Sequence, residues 1–288
     1  MTPGFHCSSL GFHDPATLIP KLAALGFGAV AIRPRRGGWD PDSPWFETAS
    51  AEIAAAAKEH QVSIVVDLDA PFYDDADSIE SFSLASNDAS LRDSARIKLE
   101  RWIERTADLC PQAITFSTGR VLPAGQTQNT ADGTANPHGE ATLERLAGAI
   151  QPLTKLASSA DVKLALRPVS EHAIATVAHF ERFGQWLDTE TSLGLAADVG
   201  EMLLGGEFPI GARLARLQHR LTCVYLCEPD LERRCDQRFG HGDIDLRRVW
   251  DVMTESGFRG PAIFRACGHG RLGLALAKEA LALLEPPT

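Results

Sequence analysis

Eight apolar, β-rich runs alternate with helical patterns along this chain, and that alternation constrains the fold more than any other feature. The runs fall at residues 4–8, 28–33, 62–67, 112–118, 161–167, 192–198, 221–227 and 260–267. Helical periodicity fills the gaps, near 15–25, 46–60, 92–109, 139–157, 173–188, 208–219, 244–256 and 270–284. A strand followed by a helix and then another strand requires the two strands to lie parallel, because the crossover returns the chain to the same edge. Eight such units with no second composition regime predict closure into one (β/α)8 TIM barrel, a single domain over residues 1–288. An open dinucleotide-binding sheet would want a Gly-rich turn after its first strand, and Cys7-Ser8-Ser9-Leu10-Gly11 does not supply GxGxxG.

Loop lengths say which end of the barrel works. Links from helix to strand are short, such as Leu25-Gly26-Phe27 and Glu59-His60-Gln61. Links from strand to helix, Arg33 to Pro44, Leu68 to Ser90 and Thr118 to His138, are long and rich in Gly, Pro, Asp and Asn. The elaborated loops therefore lie at the carboxyl ends of the strands, the functional face of such a barrel. Polar residues ending strands are then pocket candidates by position: His6, Arg33, Asp67 and Asp69, and Ser117. His6 is a candidate general base with Asp67 or Glu201 to orient it, or else a hydrogen-bonded structural histidine. The Arg33-Pro34-Arg35-Arg36-Gly37-Gly38-Trp39 loop suits a phosphate or plain solvation.

A formal net charge of -10 argues against nucleic acid and anionic membrane surfaces as partners, since no basic run offsets it. No segment reads as a secretion signal or a membrane span, so a cytoplasmic protein is expected. Cys7, Cys110, Cys223, Cys227, Cys235 and Cys267 lack paired spacing, and reduced thiols are expected. The chain has no GxSxG elbow and no P-loop.

Several strings resemble the xylose-isomerase-like barrels, the group that includes tagatose and psicose epimerases, inosose dehydratases and the endonuclease IV relatives. Leu22-Ala23-Ala24-Leu25-Gly26-Phe27-Gly28-Ala29-Val30 is similar to that family's second strand, and Asn87-Asp88-Ala89-Ser90-Leu91-Arg92 to a helix start. Gly240-His241-Gly242-Asp243-Ile244-Asp245 and Gly257-Phe258-Arg259-Gly260-Pro261-Ala262-Ile263 resemble its closing motifs. The resemblance implies a site of four ligands to one divalent metal, from strands five to eight. At those positions this chain carries Arg167, Asp198, Tyr225 and Arg265, so one ligand of four is retained, while Glu201 and Glu228 stand where the family has a substrate-contacting His and an Asp.

Arginine has no lone pair for a metal or a proton, which predicts loss of the metal-dependent isomerisation and no cofactor. Three readings follow for the altered mouth. The arginines bind an anionic ligand such as a sugar acid or sugar phosphate; or they form an internal ion-pair plug with Asp198, Glu201 or Glu228; or a metal site, zinc or manganese, has been rebuilt. The last would use Cys227 and Cys267 from neighbouring strands, with His241 or His269. The expected function is a sugar-type binding barrel whose activity is lost or rebuilt without metal. The alternatives are an active sugar or polyol isomerase, epimerase or lyase, and a non-catalytic interaction module. The candidate catalytic residues are Asp198, Glu201, Glu228 and His6; the candidate ligand-binding residues are Arg167, Arg265, Tyr225, Arg33, Asp67 and His241. The expected partner is a small sugar, sugar acid or sugar phosphate. The oligomeric state is not specified by the sequence.

Overall fold

The computed structural model describes residues 1–34, 39–68, 82–120, 139–188, 192–230 and 236–285. Eight parallel strands, β1 (Thr2–His6), β2 (Ala29–Ile32), β3 (Ser63–Leu68), β4 (Ala113–Phe116), β5 (Leu164–Leu166), β6 (Leu193–Asp198), β7 (Leu221–Leu226) and β8 (Pro261–Phe264), pair in chain order. β8 returns to pair with β1, Gly4 opposite Ile263, and the barrel is closed. The helices α1 (Pro15–Leu25), α2 (Phe46–Glu59), α3 (Ala89–Ala107), α4 (Glu140–Ser159), α5 (Val177–Phe183), α6 (Val199–Leu204), α7 (Ile210–Arg216), α8 (Leu246–Glu255) and α9 (Leu274–Ala282) follow the strands. No described helix is long and apolar enough to cross a membrane.

Acidic caps set where three of the longer helices begin. Asp14, Asp88 and Asp245 each accept a backbone N–H from the first turn of α1, α3 and α8. The periodicity predicts starts at 92 for α3 and 244 for α8, and the caps set them at 89 and 246. The helix expected over 173–188 is shorter, a 7-residue α5 continued by a 3-10 turn at Gly184–Trp186. The run expected from 270 begins as a 3-10 turn and becomes α9 only after Gly273. α6 was not foreseen: it is 6 residues long, too short for a periodic signal, and Asp198 caps it.

Side chains alternate between two cores. Outward positions such as Phe5, Val30, Ile32, Ile64, Val66, Ile114, Leu164, Leu166 and Phe264 pack beneath the helices. Inward positions form a separate cluster of Ala29, Ala31, Val65, Ala113, Ala165, Ala196, Cys223, Tyr225 and Ile263, all fully buried. Five alanines leave room for one Tyr and one Ile, so the barrel is filled by a few large side chains against small ones. Continuing the same alternation toward the carboxyl ends brings His6, Arg33, Asp67, Ser117, Arg167, Asp198, Cys227 and Arg265 to the inward face.

Candidate functional site

Asp67, at 0% exposure, is the hub of this polar layer. Its Oδ1 accepts from Thr115 Oγ1 at 3.0 Å, and Tyr225 Oη lies 2.7 Å from the same hydroxyl. Its Oδ2 meets His6 Nε2 at 2.9 Å, Arg33 Nη2 at 3.1 Å and Arg167 Nη1 at 3.3 Å. Burial by itself would raise this carboxyl, but the Arg167 and Arg33 guanidiniums and the His6 hydrogen bond hold it well below the usual carboxylate range. Asp67 therefore stays ionised.

His6 is equally buried. Its Nδ1 accepts the backbone N–H of Ser8 at 3.1 Å, which only an unprotonated nitrogen can do, so the ring proton sits on Nε2 and is donated to Asp67. Burial pushes His6 down from its ordinary 6.5 to about 4, against the pull of Asp67. The imidazole is neutral at physiological pH.

A second centre forms around Asp198. Its Oδ1 accepts the backbone N–H groups of Gly200 and Glu201 at 3.1 and 3.2 Å and the Cys227 thiol at 2.9 Å. Its Oδ2 takes no hydrogen bond but lies 3.0 Å from Arg265 Nη1, an ion pair with side chains 0% and 12% exposed. Arg265 also faces Asp236, with Nε 3.7 Å from Oδ2, and Asp236 in turn accepts the Cys267 backbone N–H. Burial and the neighbouring Asp198 charge push the Cys227 thiol well up, so it is a donor rather than a thiolate. Arg167 and Arg265 lie over the Tyr225 ring, 5.2 and 5.9 Å from its centroid.

The structure thus brings six expected residues, His6, Arg33, Asp67, Arg167, Asp198 and Arg265, into two adjoining ion-pair clusters that meet over Tyr225. Arg265 pairs with Asp198, as one expected reading had it. Arg167 pairs with Asp67, a partner not among those expected. Glu201 sits beside this layer, its Oε2 accepting the Ser170 backbone N–H at 2.7 Å, and burial together with the Asp198 charge raises it to about 7. Glu228 is committed elsewhere, both oxygens accepting backbone N–H groups, from Gly240 and Gly242, so it anchors the loop after β7. His241, on that loop, is exposed. Tyr225 is fully buried and its hydroxyl bonds Thr115, so it supports the mouth from below.

Thr115, Ser8 and Asp236 were not singled out from the sequence. Thr115 reads as an ordinary β-former, Ser8 fell within the first expected strand, and Asp236 lies on a loop with no local pattern.

The thiols and histidines proposed for a rebuilt metal centre are apart in function: Cys227 serves Asp198, Cys267 Sγ lies 3.7 Å from Ser8 Oγ, and His269 Nε2 bonds the Asp236 carbonyl. Among the described residues no three His, Cys, Asp or Glu side chains are grouped so as to hold a metal ion. Asp69, Cys235 and residues 35–38 lie outside the described residues.

A cavity of about 720 Å³ opens on the β1–β2 side of the mouth, lined among others by Cys7, Ser8, Phe12, Arg33 and Trp39. That volume is in the range of small-molecule sites, and its described lining joins apolar and aromatic surface to Arg33, His13 and the Asp14 carboxylate that caps α1. Another of about 710 Å³ lies at the opposite end of the barrel, near Lys163, Arg220 and Arg259, away from the carboxyl ends of the strands.

A closed parallel barrel with arginine–carboxylate clusters across its carboxyl-terminal mouth and a cavity beside them is the class these observations define: a TIM barrel built to present a polar site at that face. The chain belongs to the xylose isomerase-like TIM barrel family, which matches residues 19–286. Among solved structures it is similar to D-psicose 3-epimerase with D-tagatose from Clostridium cellulolyticum H10, at 17% identity and a TM-score of 0.74, covering 99% of this chain and 97% of that one. L-ribulose 3-epimerase gives 18%, 0.70, 100% and 88%. The apo 3-keto-D-glucoside 4-epimerase from E. coli gives 16%, 0.72, 98% and 98%. No curated sequence matches this one. Identities this low establish the shared fold of a divergent member.

Proposed function

We propose that this barrel binds a small anionic sugar-type ligand, a sugar acid or sugar phosphate, at its carboxyl-terminal mouth, and does so without the divalent metal that the family resemblance implies. The observation that carries this reading is the seating of Arg265 on Asp198. Of the four positions at which the resemblance expects metal ligands, Arg167, Asp198, Tyr225 and Arg265, Asp198 alone is a carboxylate. That carboxylate already serves a guanidinium, a thiol and two backbone amides. A dication on Asp198 would stand beside Arg265, which repels it and has no lone pair to offer. The donor set does not fit the metal.

The ligand class follows from the cavity. Of the clustered arginines, Arg33 lines it, with its side chain 25% exposed, while Arg167 is 2% exposed. A planar guanidinium matches carboxylate or phosphate better than it matches a neutral hydroxyl. Phe12, which is exposed, offers a face for the apolar side of a sugar ring, and Trp39 backs the cavity from the core. The sugar class is supported by the epimerase neighbours.

A ligand that binds the folded state raises its melting temperature with concentration. Matched neutral sugars, aldonic or uronic acids and sugar phosphates should therefore separate in a thermal-shift series, with the anions stabilising and the neutral sugars inert. Arg33→Ala should abolish the anion response. Equal responses to neutral and anionic sugars, or an unchanged response in Arg33→Ala, would reject the reading.

A further inference from the structure

Ser8 is half-buried in the 3-10 turn Cys7–Leu10 after β1 and lines the mouth cavity. Its Oγ lies 2.7 Å from His6 Nδ1, and His6 Nε2 lies 2.9 Å from Asp67 Oδ2. Because Nδ1 accepts the Ser8 backbone N–H, it has a lone pair and no proton, so the Ser8 hydroxyl is the donor in the 2.7 Å bond. Hydroxyl, imidazole and carboxylate thus stand in the order of an activated-serine triad, with the two ring nitrogens exchanged relative to the serine proteases. Thr115 and Tyr225 brace the carboxylate from the barrel interior.

We propose that Ser8 is a nucleophile with His6 as its general base, and that the cavity takes an ester or lactone of a carboxylic acid. Ser8 Oγ bonds to the acyl carbon while its proton passes to His6 Nδ1 and the carbonyl π pair moves onto the carbonyl oxygen. Collapse of this adduct breaks the bond to the leaving alkoxide, which takes the proton from His6, leaving an acyl-Ser8 ester. Water then gives a proton to His6 and bonds to the acyl carbon; Ser8 Oγ departs and recovers the proton, releasing the acid. No co-reactant other than water is needed. Asp67, held ionised by its arginines, faces the imidazolium formed at each transfer, and Arg33 is the cation lining the cavity where the carbonyl oxygen gains charge. Burial makes His6 a weak base, which suits reactive carbonyls such as strained lactones. A sugar lactone as the preferred substrate rests on the anionic-sugar reading, since its product is a sugar acid; the nucleophile does not.

The test treats the full chain with a fluorophosphonate, which marks activated serines, and locates the adduct by peptide mass. Hydrolysis of p-nitrophenyl acetate and of an aldonolactone is followed in parallel. The expected result is an adduct on Ser8 and hydrolysis that falls about a hundredfold or more in Ser8→Ala, with an unchanged melting temperature. His6→Gln should also block labelling, and added sugar acid should slow it in the wild-type protein. An unlabelled Ser8 in folded wild-type protein, or equal hydrolysis in wild type and Ser8→Ala, would overturn the proposal. Labelling that sugar acids do not slow would keep the nucleophile and count against the ligand class; stabilisation by sugar acids without an adduct would do the reverse.

Discussion

At the scale of single residues, His6 and Glu201 are shifted in opposite senses, and their effects on stability oppose each other. His6 titrates near 4 folded and 6.5 unfolded, so between those values the unfolded chain binds the extra proton and acid favours unfolding. Two and a half units at 1.36 kcal/mol each make this worth about 3 kcal/mol. Glu201 titrates near 7 folded and 4.5 unfolded, so the folded chain holds the extra proton and rising pH favours unfolding. Between about pH 4.5 and 6.5 the two slopes offset each other. Replacing either residue should unmask the other: His6→Gln loses stability relative to wild type as pH rises, and Glu201→Gln loses it as pH falls. Urea unfolding across that window measures both, and two variants whose curves run parallel to wild type would contradict the shifts. The strand ends made most of these residues legible, because alternation of faces puts every second residue on the inner wall. The partner of Arg167 was not legible. Asp67 lies 100 residues earlier in the chain, and only barrel closure brings it within reach.

At the scale of elements, the mouth is held by its loops. Gly119, after β4, bridges Ser83 of the loop after β3, and its carbonyl accepts the Ala173 N–H from the loop after β5. Its φ is +75°, and a Cβ there would lie 2.2 Å from the Phe82 carbonyl oxygen. Gly119→Ala should therefore destabilise by about 2 kcal/mol or more, combining left-handed strain with a clash against backbone. Gly148→Ala, inside α4 where a Cβ meets nothing, should be neutral or stabilising by up to about 1 kcal/mol. Melting temperatures that do not separate the two variants would contradict this account. The strands were readable because each is an apolar run bounded by turn residues, and the barrel followed from their number. α6 was not, since one and a half turns carry no period and its cap, Asp198, has a second role in the ion pair. Ser8 was hidden for a related reason: the strand stops at His6, and the 3-10 turn redirects the hydroxyl back onto the imidazole.

At the scale of the whole molecule, the barrel exchanges one kind of charge balance for another. Where the resemblance implies acidic ligands around a dication, this chain sets guanidiniums against Asp67, Asp198 and Asp236. Buried pairs of this kind need each partner, because a lone buried charge is costly. On the proposed function such a mouth takes an anion and no metal, because each carboxylate already faces a guanidinium. The most direct test is calorimetric titration of manganese into chelator-treated protein, with Asp198→Asn alongside. The account predicts no saturable binding in either protein. A site of one manganese per chain that disappears in Asp198→Asn would contradict it.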